Sequence, residues 1–223
     1  MATQRKDSPP QPDFAHLRAK MVEYVAKRGI NDERILRAMR EVPRHLFVPT
    51  LVAAKAYGEG ALPIGAKQTI SQPYIVARMI ELLDLTGKEK VLEIGTGTGY
   101  QAVVLSKLCA KVFSIERVNE LALRAAELIR TLKIYNATVK VFDGTYGWSD
   151  QAPFDRIIVA AAAPEVPKPL LEQLSRTGKL VIPIGEAGNQ RLARVMRVGT
   201  RVQIEDCGTA EFVPLVGKFG WKE

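Results

Sequence analysis

The chain has 223 residues, 47% of them hydrophobic and 25% charged, and a formal net charge of +8. That length fits one domain, and no run reaches the roughly 18–20 apolar residues that span a bilayer; the polar start, Met1 to Pro12, lacks the apolar stretch of a secretory signal. The positive charge would suit nucleic acid, but basic residues are interspersed with acids, as in Asp32-Glu33-Arg34, so the reading is a solvated cationic surface with no nucleic-acid partner.

In chain order, residues 1–12 are expected to be disordered. Phe14, Leu17, Met21, Val22 and Val25 recur at helical spacing, and Gly29 is a natural stop. Asn31 is placed to cap a second helix through Ile35, Leu36, Met39 and Val42, ended by Pro43. Residues 44–51 read as irregular, 53–57 as a helical turn and 58–69 as a glycine-containing loop. Ser71 as N-cap and Pro73 in the first turn open a third helix through Ile75, Val76, Met79, Ile80 and Leu83, broken by Gly87. This helical section, 13–87, is expected against the edge of a sheet.

From Val91 strands and helices alternate. Residues 91–94, 112–115, 138–142 and 156–161 read as strands, the last a continuous apolar run suited to a central parallel position. Residues 101–108, 119–132 and 168–174 read as helices; Gly178 turns the chain into a strand at 180–184. A hairpin of 191–198 and 201–204 and a last strand at 211–215 follow. The fold class is α/β: a doubly wound, mostly parallel sheet with an N-terminal helical section and a C-terminal antiparallel portion. Residues 13–223 form one domain, with 88–223 its ligand-binding α/β core.

The segment Val91-Leu92-Glu93-Ile94-Gly95-Thr96-Gly97-Thr98-Gly99-Tyr100 carries the first chemistry. Glycines at alternate positions after a strand let the backbone turn tightly and approach a ligand. The next strand ends in Glu116, placed to accept from the hydroxyls of a ribose. The spacing is G-x-G-x-G, not the G-x-G-x-x-G of nicotinamide enzymes, and Glu93 just before it suits a cationic ligand better than a pyrophosphate. The motif resembles the first motif of S-adenosylmethionine-dependent methyltransferases, with Glu116 as their ribose-binding acid. That resemblance implies a Rossmann-like methyltransferase fold, S-adenosylmethionine as cofactor and S-adenosylhomocysteine as product. It makes Glu93, Gly95, Thr96, Gly97, Gly99 and Glu116 candidate cofactor-binding residues.

The stretch Gln68-Thr69-Ile70-Ser71-Gln72-Pro73-Tyr74 narrows the reading, although a helix cap alone would explain Ser71. With Val42-Pro43-Arg44, the run from Phe142 to Gly147, Ala161 to Pro167, Leu180 to Gly185 and Phe212 to Leu215, it resembles the protein-L-isoaspartate O-methyltransferase family over residues 15–221. The resemblance implies repair: methylation of the free α-carboxylate of an isoaspartyl residue, followed by closure to a succinimide and hydrolysis. Isoaspartyl-containing proteins and peptides are then the partners. Ser71 matches the family's active-site serine; Gln68, Thr69 and Ile70 match cofactor-contacting positions. Asp143 would accept from the adenine amino group and Gly144 would donate to the ring, while Asp143-Gly144 alone reads as an ordinary turn. Val216 and Trp221 stand where other members have polar residues approaching the ligand, which puts those tail contacts in doubt.

The residue inventory agrees with such a reaction. A carboxylate nucleophile needs no general base at neutral pH. His16 and His45 have no Cys or Ser partner at recognisable spacing. Cys109 and Cys207 lack metal-ligand spacing and read as reduced thiols, so no metal is expected and the cytoplasm is the expected location. No heptad or amphipathic surface announces a dimer, and a monomer without membrane association is expected. Two alternatives remain open: an RNA or other small-molecule methyltransferase, and a non-catalytic S-adenosylmethionine-binding module. Against the first, Ala161-Ala162-Ala163-Pro164 offers no polar group to grip an exocyclic nitrogen.

Overall fold

The computed structural model describes residues 12–222, so the stretch expected to be disordered lies, apart from Pro12, outside the described residues. The chain runs α1 (Phe14–Lys27), α2 (Glu33–Glu41), two 3-10 helices (Arg44–Phe47 and Thr50–Tyr57), β1 (Leu62–Gly65), β2 (Gln68–Ile70) and α3 (Pro73–Leu82). The sheet region follows as β3 (Lys90–Ile94), α4 (Tyr100–Ser106), β4 (Lys111–Glu116), α5 (Asn119–Thr131), β5 (Ala137–Val141), β6 (Phe154–Val159), α6 (Lys168–Gln173), β7 (Leu174–Ile184), β8 (Gln190–Val198) and β9 (Arg201–Ala210).

Seven strands form one sheet in the order β5-β4-β3-β6-β7-β8-β9, parallel as far as β7 and antiparallel beyond. Alternation along each strand feeds two cores. Val91, Val112, Ile158, Val181 and Leu192 face the first, shared with α1 to α5. Leu92, Ile94, Phe113, Ile157, Val159 and Ile182 face the second, closed by Leu170 of α6. After β3 the chain winds outward to β4 and β5, then returns to β6 on β3's other side. The carboxyl ends of β3, β4 and β6 therefore diverge around a crevice, where open α/β sheets bind ligands.

The front section departs from its expected place and make-up. It covers a face of the sheet rather than its edge, because α1, α2 and α3 share the core of Val91 and Val112. The expected loop at 58–69 contains an antiparallel hairpin, with Leu62 opposite Ile70. The residues read as irregular, 44–51, wind into the first 3-10 helix and the start of the second, whose remainder is the helical turn expected at 53–57. Asp32, not Asn31, caps α2, its side chain accepting the Arg34 N–H, while the Asn31 amide donates to the Gly29 carbonyl. Ser71 does not cap α3. The capping position is Gln72, which makes no side-chain cap bond, and Pro73 supplies the preset φ of a first turn.

Two late elements also differ. Gly178 turns the chain inside β7, where pairing jumps from Phe154–Leu174 to Arg156–Lys179 and the residues between bulge out. The strand expected at 211–215 is a single bridge between Ala162 and Pro214, since proline has no N–H to extend a ladder. The Ala162 N–H donates to the Val213 carbonyl at 2.8 Å and the Leu215 N–H to the Ala162 carbonyl at 2.7 Å, tying this segment across the crevice.

Candidate active site

β3 delivers its chain straight into the glycine loop. Gly95 (φ 90°), Gly97 (φ 56°) and Gly99 (φ 92°) all occupy the left-handed region that side chains disfavour, so the loop can turn here only with glycine. The Gly95 N–H donates to the Ile115 carbonyl at the end of β4. At the tip of β4, Glu116 is buried; its Oε2 accepts the Gly97 N–H at 2.8 Å and its Oε1 the Val118 N–H at 2.9 Å.

A cavity opens over these residues. Its wall includes Gln68, Thr69, Ile70 and Ser71 from the front section, Gly95, Thr96, Gly97 and Glu116 from the sheet, and Gly144. Nine of the twelve sequence-derived site residues thus meet around one space. Glu93, Gly99 and Asp143 do not line it. Gly99 packs behind the loop, where a Cβ would touch Ala125 at 3.4 Å.

Glu93 is fully buried beneath the loop and does not face the cavity. Its Oε1 accepts from Gln101 Nε2 at 3.0 Å and its Oε2 from the Ser114 hydroxyl at 2.5 Å; Ser114 Oγ in turn meets Thr96 Oγ1 at 2.5 Å. Burial pushes the Glu93 carboxyl up to about 7 against those two hydrogen bonds, and the neighbouring Glu116 charge adds to the rise. This residue braces the loop from below.

Asp143 caps the 3-10 turn Gly144–Tyr146 and is turned towards the tail of the chain. Its Oδ1 accepts from the Thr145 N–H and hydroxyl, and its Oδ2 from the Lys218 N–H at 2.9 Å. Val216 does line the cavity, whereas Trp221 anchors the tail, donating from Nε1 to the Ala162 carbonyl at 2.9 Å. Ile64, Tyr100 and Ala160 line the wall and were not singled out from the sequence; Tyr100 directly follows the third glycine, the one local signal for it.

A second recess adjoins the first, lined by Arg28, Tyr74 and Arg78 on one side and by the segment from Cys207 to Val213 on another. Thr69, Ser71, Ala160 and Val213 line both. Ser71 therefore stands at the junction, and its hydroxyl makes no hydrogen bond to any described residue. Neither histidine lines either recess; His45 Nδ1 meets the Tyr57 hydroxyl at 2.7 Å and stacks on Phe14. Burial raises the thiols of Cys109, to about 12, and Cys207, so neither is a thiolate at neutral pH.

Residues 16–220 match the profile of the family described as Protein-L-isoaspartate(D-aspartate) O-methyltransferase (PCMT). The chain belongs to the protein-L-isoaspartate O-methyltransferase family. Protein-L-isoaspartate O-methyltransferase of Geobacter metallireducens is 50% identical over 212 residues, covering 94% of this chain and 98% of that protein. Protein-L-isoaspartate O-methyltransferase 1 of Syntrophobacter fumaroxidans is 51% identical over 211 residues, covering 94% and 99%. Among solved structures, a protein-L-isoaspartate O-methyltransferase superimposes with a TM-score of 0.82 at 28% identity, covering 91% of this chain and 67% of that one. A Plasmodium falciparum structure described as a putative member, in complex with S-adenosyl-L-homocysteine, gives 0.74 at 26% identity, covering 88% and 96%. The family resemblance and the methyltransferase fold expected from the sequence are both borne out.

Proposed function

We propose that this chain is a monomeric repair enzyme that methylates the free α-carboxylate of L-isoaspartyl residues in damaged proteins, with S-adenosylmethionine as donor. The observation that carries this reading is the meeting of two recesses at Ser71, one walled by the glycine loop and Glu116, the other by Arg28, Tyr74, Arg78 and the Cys207–Val213 segment. Free cysteines suit a reducing cytoplasm, and no helix among the described residues is long and apolar enough to cross a membrane. Neither nucleic acid nor metal enters the reading.

The first recess fits the cofactor by its construction. The loop brings bare backbone to the wall, since a Cβ on Gly97 would meet Ile64 Cδ1 at 3.3 Å. Glu116 uses one lone pair of each oxygen on the backbone and keeps others for ribose hydroxyls. Gln68, Thr69, Ile70, Gly95, Thr96 and Gly144 would complete the cradle, with Glu93, Gly99 and Asp143 acting behind it. When bound, S-adenosylmethionine supplies a methyl group already activated on a sulfonium.

The protein's part is then positioning. The Ser71 hydroxyl is available to donate to one oxygen of the acceptor carboxylate and to aim the other across the junction. The Val213–Val216 segment walls the first recess, and shielding from water there would spare the carboxylate a solvation that slows its attack. Alignment of this kind is worth up to roughly 7–11 kcal/mol in favourable cases. The test is labelled S-adenosylmethionine with paired peptides, one isoaspartyl and one aspartyl. Labelling confined to the isoaspartyl peptide is expected; equal or absent labelling of the two would overturn the reading.

A further inference from the structure

A buried arginine stands behind Ser71. Arg44 opens the first 3-10 helix and is 0% exposed, an uncommon position for a guanidinium. Its Nε donates to the Ala56 carbonyl at 2.7 Å and its Nη2 to the Ser71 carbonyl at 2.6 Å. The guanidinium carbon lies 4.6 Å from the centroid of the Tyr100 ring, which lines the first recess.

Among the described residues no carboxylate lies within ion-pair distance of Arg44. Nη1 and the Tyr100 hydroxyl are buried without a well-aligned hydrogen bond, and the two groups interact with each other. Arginine stays protonated in proteins, so this is a whole positive charge removed from water and answered by two carbonyl dipoles and by the ring and hydroxyl of Tyr100, with no anion among the described residues. The two bonds from Arg44 tie the Ala56 and Ser71 carbonyls together, at the cost of desolvating a guanidinium. Arg44 lines neither recess, so an anion at the junction would feel this charge through the Ser71 peptide and not by contact.

We propose that Arg44 is the fixed counter-charge of the methyl acceptor: a positioning residue that locks the Ser71 peptide and biases the junction towards a carboxylate. The inference rests on the isoaspartyl reading above. Arg28 and Arg78 do not do this work. Arg28 stacks on Tyr74 at 4.2 Å, and Arg78 is paired with Glu81 at 2.7 Å. Arg44 backs Ser71 from the protein side, where salt screens it little. Its attraction ends once the carboxylate becomes a neutral ester, so the same charge that draws the acceptor in assists release of the product.

The experiment compares the wild-type protein with Arg44→Met and Arg44→Lys. Three quantities are read: the Kd for S-adenosylhomocysteine, the KM for an isoaspartyl peptide, and the inhibition constant of the same peptide with its α-carboxylate replaced by a carboxamide. The wild type is expected to favour the carboxylate by about tenfold or more, the scale of one desolvated charge interaction. R44M is expected to bring the two peptides within about threefold of each other while cofactor affinity changes by less than that. R44K, which keeps the charge but not the planar fork, retains most of the preference with a reduced kcat.

A merely structural role would weaken both peptides and the cofactor together, and that outcome overturns the proposal. So does a folded R44M that keeps its preference. Should R44M fail to fold, the other proteins decide: no preference in the wild type, or its loss in R44K, also overturns it. Absence of methylation by the wild type would remove the isoaspartyl reading instead.

Discussion

The carboxylate of Glu116 holds the backbone of Gly97, accepting its N–H at 2.8 Å across the gap between β4 and the glycine loop. A ribose-binding acid is thereby also a clamp on the loop that forms the opposite wall. Glu116→Ala removes both roles. With a hydrogen bond to a charged group worth about 1.5–3 kcal/mol, the KM for S-adenosylmethionine is expected to rise by about one to two orders of magnitude, and kcat to fall by less. Calorimetric titration with S-adenosylhomocysteine checks it; wild-type affinity would remove Glu116 from the site.

Glu93 predicts a pH dependence. Its carboxyl is raised by burial from 4.5 to about 7, so between those values the folded state holds a proton that the unfolded chain has released. Stability from this group is therefore complete below about pH 4.5 and is lost as pH rises through about 7, by at most roughly 3 kcal/mol. Glu93→Gln keeps partners for Gln101 and Ser114 without the charge. It is expected to flatten the stability profile between pH 5 and 7 and to raise the midpoint of denaturation at about pH 8. Parallel urea titrations of the two proteins measure this; identical slopes against pH would refute it.

Gly144 sits on the cavity wall where a Cβ would collide with Ile94 Cγ2, a branched side chain itself locked in the second core. Gly144→Ala overpacks that contact and is expected to cost about 1–3 kcal/mol and to push the wall into the cofactor space. The thermal midpoint and the S-adenosylmethionine KM should worsen together, and added S-adenosylhomocysteine should stabilise the variant less than the wild type. Undiminished stabilisation by the ligand would place Gly144 outside the cradle.

The α/β core was legible in the sequence because apolar runs bounded by glycines leave few alternatives at Val91–Gly99 and Val112–Glu116. The β1–β2 hairpin was not. Its turn places Ala66 (φ 50°) and Lys67 (φ 56°) in the left-handed region, residue types that give no turn signal. Glu93 was assigned by its nearness to the glycines, although the two-residue period of a strand puts it on the face of Val91, under α4, and not at the mouth. Arg44 was visible only as part of a motif. Arginine's preference for the surface argues against a buried role, and only the fold brings Ala56 and Ser71 to it.

Ser71 offers the sharpest test of the site. From sequence, a serine two residues before Pro73 is as good a helix cap as a catalytic group, and a cap lost to alanine costs about 1 kcal/mol. The structure separates the two roles: Gln72 occupies the capping position, and the Ser71 hydroxyl bonds no described residue. Ser71→Ala should therefore leave the urea midpoint within about 0.5 kcal/mol of wild type, as for a surface substitution that touches nothing. If the hydroxyl orients the acceptor carboxylate, kcat falls by about one to two orders of magnitude while the Kd for S-adenosylhomocysteine barely moves. The Arg44 charge behind the Ser71 peptide survives the change, so residual turnover is expected rather than none. Wild-type kcat in this variant would show that the Ser71 hydroxyl takes no part in holding the carboxylate.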